Sequence, residues 1–389
     1  MGWYIAEIFD EGVFKEETLN MLIKYSPEFN LVRYVVYFRL TNYFIFNNII
    51  NILVNKNISS TIIAEILDNG FLNKELYDTI INLSDEVKKL YWGSHIRIEQ
   101  KTLGDEIRLY IEEVIKYGNF NSCVYLIYSV KEKLTSEEVY NYIIRVWDNI
   151  KGHNGSRTDE YCLEETLKIA QNYAINSNDY DIILKLAQFE IVVYKVIEYH
   201  NMRCYNYLIK IDPRLYASLL YYTFKSDDGH EKNEKFAKNL FGLYLNTKFC
   251  PMENNGLVNY EELKMWVAKF KEQLDIQKQS KLFKSIIGSL FSYSPLGADK
   301  YMPCEAVRQV IEEEYDKELK TSYVVAERNK RGVYTPDSGK TEHPMALKYK
   351  ENADKIRVKF PNTAKIFDEL YIEYENDSLV ERKSAEDVY

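Results

Sequence analysis

The chain has 389 residues and a formal net charge of −9, with 46% hydrophobic and 28% charged side chains. This composition is globular and excludes a disordered chain, and the acidic balance disfavours general binding to duplex nucleic acid, which needs a basic surface. Because only 8 prolines and 15 glycines are present, we expect long helices joined by short turns and not a sandwich or barrel.

The cysteines and the apolar segments bear on the compartment. Five cysteines, at positions 123, 162, 204, 250 and 304, lie far apart without a CxxC pair. They predict neither a disulfide framework nor a zinc ribbon, and reduced cytoplasmic thiols are the simplest interpretation. The N-terminus lacks the pattern of a signal peptide. The most apolar window, 31–54, contains several Arg and Asn residues, so we expect buried helices there and no membrane span.

Tyrosine is unusually abundant, with 34 residues. Two explanations stay open: the base composition of an AT-rich genome, or a tyrosine-lined surface that binds a partner through rigid apolar rings with polar tips.

In chain order, helical periodicity begins near the N-terminus and is divided by cap residues. Ser26-Pro27 and Ser59 are N-terminal signals, and Thr135 with Glu138 predicts a capping box. The segment 103–117 has one apolar stripe and predicts an amphipathic helix.

Three joins between helices have the style of tetratricopeptide repeats. The clearest is KYGNFNSCVYL, residues 116–126, where a Gly-Asn-aromatic turn precedes the small residue Cys123, which would let two helices pack closely. Residues 67–76 and 176–187 resemble this join, but the spacings are unequal. A degenerate array of helical hairpins is therefore predicted, without a strict period.

The segment CPMENNGLVN, residues 250–259, predicts the domain boundary. We expect a helical-repeat array over 1–250 and a C-terminal helical domain over 251–389, ending in a hairpin of two long helices, Pro344–Lys359 and Asn362–Glu386. No segment predicts a strand. The predicted fold class is all-α, with degenerate helical-hairpin repeats (a TPR/HEAT-like α-solenoid) followed by a C-terminal helical domain.

Two short motifs have spacings that suggest metal ligands. Residues 253–262 match the second half of a calcium loop, but Pro251 stands where the first carboxylate ligand belongs, so a turn followed by a capped helix is the better interpretation. His200 and Cys204 have the spacing of one helical face, but no neighbour completes a tetrahedral set. The sequence contains no GxxxxGK, GxGxxG, HExxH or GxSxG motif. We therefore predict no catalytic residue, no metal site and no cofactor.

The most distinctive segment is AERNKRGVYTPDSGKTEHPMA, residues 326–346, where helical periodicity stops. Its basic residues Arg328, Lys330, Arg331 and Lys340 predict a site for an anion or nucleic acid, assisted by backbone N–H groups. The alternative is structural: the positive charges offset the negative end of the preceding helix, Gly332 caps it, and residues 336–339 form a turn.

The pieces NGLVNYEELKMWV, PCEAVRQVIEEE and ERNKRGVYTPDSGKTEHPMALKYKENADKIRVKFPNTAKIFDELYIEYENDS lie within Asn255–Asp377. They resemble the C-terminal end of a family of very large bacterial proteins. In that family, an ATP-binding STAND-like region or another effector precedes a long helical-repeat tail, and related proteins defend bacteria against phage. The present sequence shows no ATP-binding or nuclease segment. The resemblance therefore implies either a C-terminal portion of such a protein or a subunit whose effector is another chain.

Together these features predict a non-enzymatic, cytoplasmic helical-repeat module that binds a protein, as sensor or scaffold of an anti-phage defence system. The expected partner is a phage protein or an effector chain, with no membrane. The alternative is a module that binds nucleic acid or a nucleotide through the basic loop 328–340. A further alternative is an enzyme whose site is assembled from residues distant in sequence.

Overall fold

The structure is a computed structural model and describes residues 14–94, 96–149, 157–227, 234–332, 335 and 337–386. This part of the chain contains twenty α-helices and one short β-hairpin, which confirms the prediction of an all-α fold. None of the helices described is long and apolar enough to cross a membrane. The chain divides into two compact units, Met1–Asn201 and Met202–Tyr389.

The first unit contains eleven of these helices. They are α1 (Glu16–Tyr25), α2 (Glu28–Thr41), α3 (Tyr43–Asn55), α4 (Ser60–Asp68), α5 (Lys74–Ile80), α6 (Asp85–Trp92), α7 (Gly104–Tyr117), α8 (Phe120–Val130), α9 (Ser136–Asn149), α10 (Arg157–Ser177) and α11 (Tyr180–Val193).

Local sequence signals explain where several of these helices begin. The predicted capping box is present, since the Glu138 N–H donates to Thr135 Oγ1 at 3.2 Å and the Thr135 N–H donates to Glu138 Oε2 at 2.8 Å. At the predicted α7–α8 join, Cys123 is buried and its Sγ lies 3.3 Å from the Val114 carbonyl oxygen. The small side chain thus lets the two helices approach closely, as the sequence predicts.

The second unit contains nine described helices and the hairpin. The helices are α12 (Arg203–Ile211), α13 (Pro213–Thr223), α14 (Glu234–Asn246), α15 (Tyr260–Ile276), α16 (Phe283–Ser292), α17 (Glu305–Glu314), α18 (Lys317–Asn329), α19 (Glu342–Ile356) and α20 (Pro361–Glu386); the strands are β1 (Glu253–Asn254) and β2 (Leu257–Val258).

The division between the units differs from the predicted boundary at 250/251. The segment after α14 is bound to α12, because the Met252 N–H donates to the Lys210 carbonyl at 3.0 Å and Lys210 Nζ pairs with Glu253. Buried Gln279 donates to the carbonyl oxygens of Leu220, in α13, and of Phe224, directly after it. These long-range bonds tie 203–250 to the C-terminal helices, so the compact unit begins at 202.

The β-hairpin corrects the prediction that the chain has no strand. β1 and β2 pair antiparallel around Asn255-Gly256, whose φ angles of 50° and 78° are those of a tight hairpin turn. The turn that the sequence predicts here is therefore present, at Asn255-Gly256, and it joins two short strands. Each strand has only two residues, too few to show alternation.

Two close approaches shape the second unit. The predicted terminal hairpin is present as α19 packed on α20, joined by four residues. α16 packs against α18, and a Cβ on Gly288 would lie 3.1 Å from the Leu319 carbonyl carbon and closer still to its oxygen. Only glycine at 288 therefore allows the two helices to approach this closely.

Candidate functional site

The basic segment after α18 is the site the sequence singles out, and its first cation, Arg328, is paired. Arg328 lies in the last turn of α18, and its Nη1 and Nη2 each lie 2.7 Å from a carboxylate of α20, Glu373 and Asp377 respectively. Its guanidinium also lies 5.7 Å from the centre of the Tyr374 ring. The side chain therefore joins α18 to α20.

Lys330 directly follows α18, pairs with Glu327 of that helix and also donates to the Ser292 carbonyl at the end of α16. Glu327 is 8% exposed, and its other oxygen accepts a hydrogen bond from the Tyr349 hydroxyl of α19 at 3.1 Å. Lys330 thus satisfies a buried carboxylate and one helix-terminal carbonyl at once.

Arg331 pairs with Glu342 in the first turn of α19, a carboxylate that is 0% exposed. Lys340, in contrast, is exposed and makes no ion pair within the part of the chain described. Of the four predicted anion-binding residues, three are therefore bound to carboxylates of the chain itself, and Lys340 is the one that faces solvent.

The turn that follows is tied to α20. Gly339 has a φ of 76°, and its carbonyl accepts a hydrogen bond from the buried Ser378 hydroxyl at 3.1 Å. The backbone N–H groups of Asp337 and Gly339 both donate to Glu381 Oε2, at 3.1 and 3.0 Å. A Cβ at 339 would lie 2.5 Å from Ser378 Oγ, so this contact requires glycine.

Residues 328–332 and 337–342, which we call the clamp, therefore hold α18, α19 and α20 together. The structural alternative expected Gly332 in a cap conformation, and its φ of 67° agrees with that expectation. The positive charges differ in what they pair with. Lys330 pairs with Glu327 of α18 itself, whereas Arg331 and Arg328 pair with carboxylates of α19 and α20.

Next to this clamp lies a cavity of about 470 Å³, open to solvent, between the end of α14, α16 and α18. We call it the hydroxyl groove, because eight of its fifteen lining residues carry a hydroxyl group, among them Thr247, Ser285, Ser289, Tyr293, Thr321 and Ser322. No local pattern in the sequence marks this groove, since its residues come from four helices, α13, α14, α16 and α18, and from the residues just after α14 and α16.

The charge of the hydroxyl groove differs from that of the whole chain. None of the fifteen described residues that line it is acidic, although the chain has 59 Asp and Glu residues, and Lys248 is the lone cation there. Burial raises the pKa of both Tyr244 and Tyr293, so these phenols stay protonated at neutral pH. Leu245 and Val325 add exposed apolar side chains, 55% and 52% accessible.

The two short motifs whose spacings suggest metal ligands have other roles in the structure. Glu253, in the calcium-like segment, accepts hydrogen bonds from Lys210 and from the Gly256 N–H. His200 is largely exposed in a short 3-10 turn, and α12 begins only at Arg203. His200 therefore does not share the helical face that the spacing predicts with buried Cys204.

The cysteines are buried and are not activated as nucleophiles. All five cysteines are buried, and burial raises the pKa of the Cys123 thiol to about 12. A thiol in such surroundings is a poor nucleophile.

One group of three potential metal ligands occurs in the described residues: Asp337, Glu342 and Glu381.

Other structural cations were not recognised from the sequence. Arg39 donates to the carbonyl oxygens of Leu67 and Phe71 around the end of α4. Arg308 is 2% exposed and binds both oxygens of Asp299 at 2.7 Å. A buried arginine has no local signature, because its partners come from other parts of the chain.

Comparisons with protein-family models, with curated proteins and with solved structures found no match. The hydroxyl groove, the clamp and the helical packing of this chain are therefore the features that bear on its function.

Proposed function

We propose that the chain is a non-enzymatic module of helical-hairpin repeats that binds another protein, and that the hydroxyl groove receives a segment of that partner. The groove carries the proposal. It combines exposed apolar side chains, neutral hydrogen-bond donors and one ammonium group in an open cavity large enough for one or two side chains.

The packing of the first unit supports the repeat character. Its main helix contacts join each helix to the next one or to the one after, as in the series α2, α4 and α6 and the series α8 to α11. Contacts that stay local along the chain are typical of stacked helical hairpins, which leave long faces available for partners.

The chemistry of the hydroxyl groove indicates the kind of segment it takes. The protonated phenols of Tyr244 and Tyr293 match carbonyl and carboxylate oxygens, as does Lys248. Leu245 and Val325 match an apolar side chain. A partner segment with one apolar anchor beside acidic residues fits this lining best. Such a segment would be repelled elsewhere on a chain of net charge −9, which favours the groove.

The alternative of a nucleic-acid or nucleotide site at Arg328, Lys330, Arg331 and Lys340 has less support. Three of these cations are already paired with carboxylates. A phosphate would have to displace those carboxylates and leave buried Glu342 without its counter-ion, which is costly. The remaining cation, Lys340, is a small part of the footprint that nucleic acid needs.

The setting in anti-phage defence rests on the resemblance of Asn255–Asp377 alone. In that setting the partner is a phage protein, or the effector chain whose activity the module controls. The second unit contains both the resembling residues and the hydroxyl groove, so the same unit would carry recognition.

The test is affinity capture from bacterial cells with and without phage infection, using the full chain as bait. We compare the unmodified chain with Val325→Asp, which places a negative charge in the hydroxyl groove at a side chain already 52% exposed. Val358→Asp is the matched control, since Val358 is 98% exposed and does not line the groove.

The proposal predicts a discrete polypeptide that the unmodified chain and Val358→Asp both recover and that Val325→Asp loses. Equal recovery by all three baits would exclude the groove as the binding site. If no polypeptide is enriched by any bait, with or without phage, the proposal of a protein-binding module is wrong.

A further inference from the structure

Two carboxylates of the clamp and one of α20 converge at the start of α19. Asp337, Glu342 and Glu381 each offer an oxygen, and these oxygens lie within 4.8 Å of one another. They come from the turn before α19, from its first turn, and from the last part of α20. Three negative charges this close repel each other strongly unless something compensates them.

The hydrogen bonds of the cluster leave two buried oxygens without a donor. Asp337 accepts from the Thr341 N–H and hydroxyl, and Glu381 Oε2 accepts from two backbone N–H groups. Glu342 is 0% exposed, and Arg331 bonds to its Oε1. Glu342 Oε2 and Glu381 Oε1 are both buried and accept no hydrogen bond.

A buried carboxylate oxygen without a partner destabilises the fold, so the two orphan oxygens point to a missing positive group. Arg331 offsets one of the three negative charges and leaves a net charge of −2 in the cluster. That residual charge matches one divalent cation. Arg331 bonds to Oε1 of Glu342, and Glu342 Oε2 and Glu381 Oε1 still have no hydrogen-bond donor.

The ligand type selects the class of metal. All three ligands are carboxylate oxygens, which suit hard cations such as Ca²⁺, Mg²⁺ and Mn²⁺ and not zinc or copper. Opposite oxygens around Ca²⁺, with bonds of 2.3–2.6 Å, lie about 4.6–5.2 Å apart. The spacing of the cluster is within that reach, and water would fill the remaining positions.

We propose that Asp337, Glu342 and Glu381 form a site for one hard divalent cation, with Ca²⁺ the best fit, that locks the clamp onto α19 and α20. This site is independent of the hydroxyl groove. Because only three protein ligands are present beside a cation, we expect a dissociation constant of about 0.1–1 mM, as in weak calcium modules.

The test is calorimetric titration of CaCl₂ into the full chain at constant ionic strength. Glu381→Gln keeps an oxygen that can accept the N–H groups of Asp337 and Gly339 but removes the charge. Glu375→Gln is the matched control, because Glu375 lies on the same helix and pairs with His343 outside the cluster. Circular dichroism checks that each variant is folded.

The proposal predicts one Ca²⁺ per chain, at least tenfold weaker binding by Glu381→Gln, and binding within twofold of the original for Glu375→Gln. If Glu381→Gln does not fold, Asp337→Asn takes its place with the same tenfold expectation. Absence of stoichiometric binding up to 10 mM Ca²⁺, or equal weakening by Glu375→Gln, would show that the carboxylates bind no specific ion.

Discussion

Replacing Arg331 by methionine is the sharpest test of the clamp, because it removes the counter-ion of a completely buried carboxylate. The Glu342 side chain is 0% exposed and Arg331 only 14%. Methionine keeps much of the apolar stem, so the change acts mainly on charge. Breaking a buried pair by removing one partner costs about 3–5 kcal/mol, since the remaining charge is left desolvated.

Local stability is the quantity to measure, because a chain with two compact units need not unfold in one step. Hydrogen exchange of α19 amides should accelerate by between about 10²-fold and about 4 × 10³-fold, since every 1.4 kcal/mol is a factor of ten. Arg145→Met is the control. It removes a two-bond pair with Glu112 whose side chains are 44% and 47% exposed, so α9 should lose about 0.2–1 kcal/mol at most.

A second change separates charge from packing. Adding Glu342→Gln to Arg331→Met removes the unpaired negative charge and should restore a large part of the lost protection in α19. If Arg331→Met exchanges no faster than Arg145→Met, or if Glu342→Gln makes the variant worse, the pair is not the buried electrostatic contact that we infer.

Three further predictions concern stability and thiol chemistry. Gly288→Ala should lower the stability of the second unit by about 1–3 kcal/mol in thermal unfolding, because the added Cβ meets the backbone of α18. Gly104→Ala is the control, and it should cause no comparable loss of stability, because its Cβ meets only the flexible end of a side chain. Hydrogen bonds from Arg108 and then from a backbone N–H lower the pKa of Glu138 to about 2. The ionised Glu138 carboxylate therefore stabilises the fold fully above about pH 4.3, and this contribution is lost as the pH falls towards 2. The difference in melting temperature between the original chain and Glu138→Gln should vanish near pH 2. Cys123 should resist thiol reagents at pH 8 until urea is added, because burial raises its pKa to about 12; rapid labelling of the folded chain would contradict this.

The parts of the fold that the sequence predicted depend on neighbours in the chain. The capping box at Thr135 and Glu138, the small residue Cys123 and the terminal hairpin are all set by residues a few positions apart. Such signals can be recognised without knowing the tertiary structure.

The candidate site depends on contacts that no local pattern contains. Arg328 looked like an anion ligand because its partners, Glu373 and Asp377, lie 45 and 49 residues later. The carboxylate cluster is hidden for the same reason, since Glu381 joins Asp337 only through packing of α20. The hydroxyl groove forms only once four helices, α13, α14, α16 and α18, are packed together.

Site-specific photo-crosslinking tests the central claim, that the hydroxyl groove binds a protein, most directly. A photoreactive phenylalanine analogue at Val325 lines the groove, while the same analogue at Val358 is exposed outside it. In bacterial cells irradiated during phage infection, we expect one discrete crosslinked species from position 325 and none from position 358. Lys248→Glu should lower the yield of the crosslink from position 325. The same products from both positions, or none from position 325 with or without phage, would contradict the central claim.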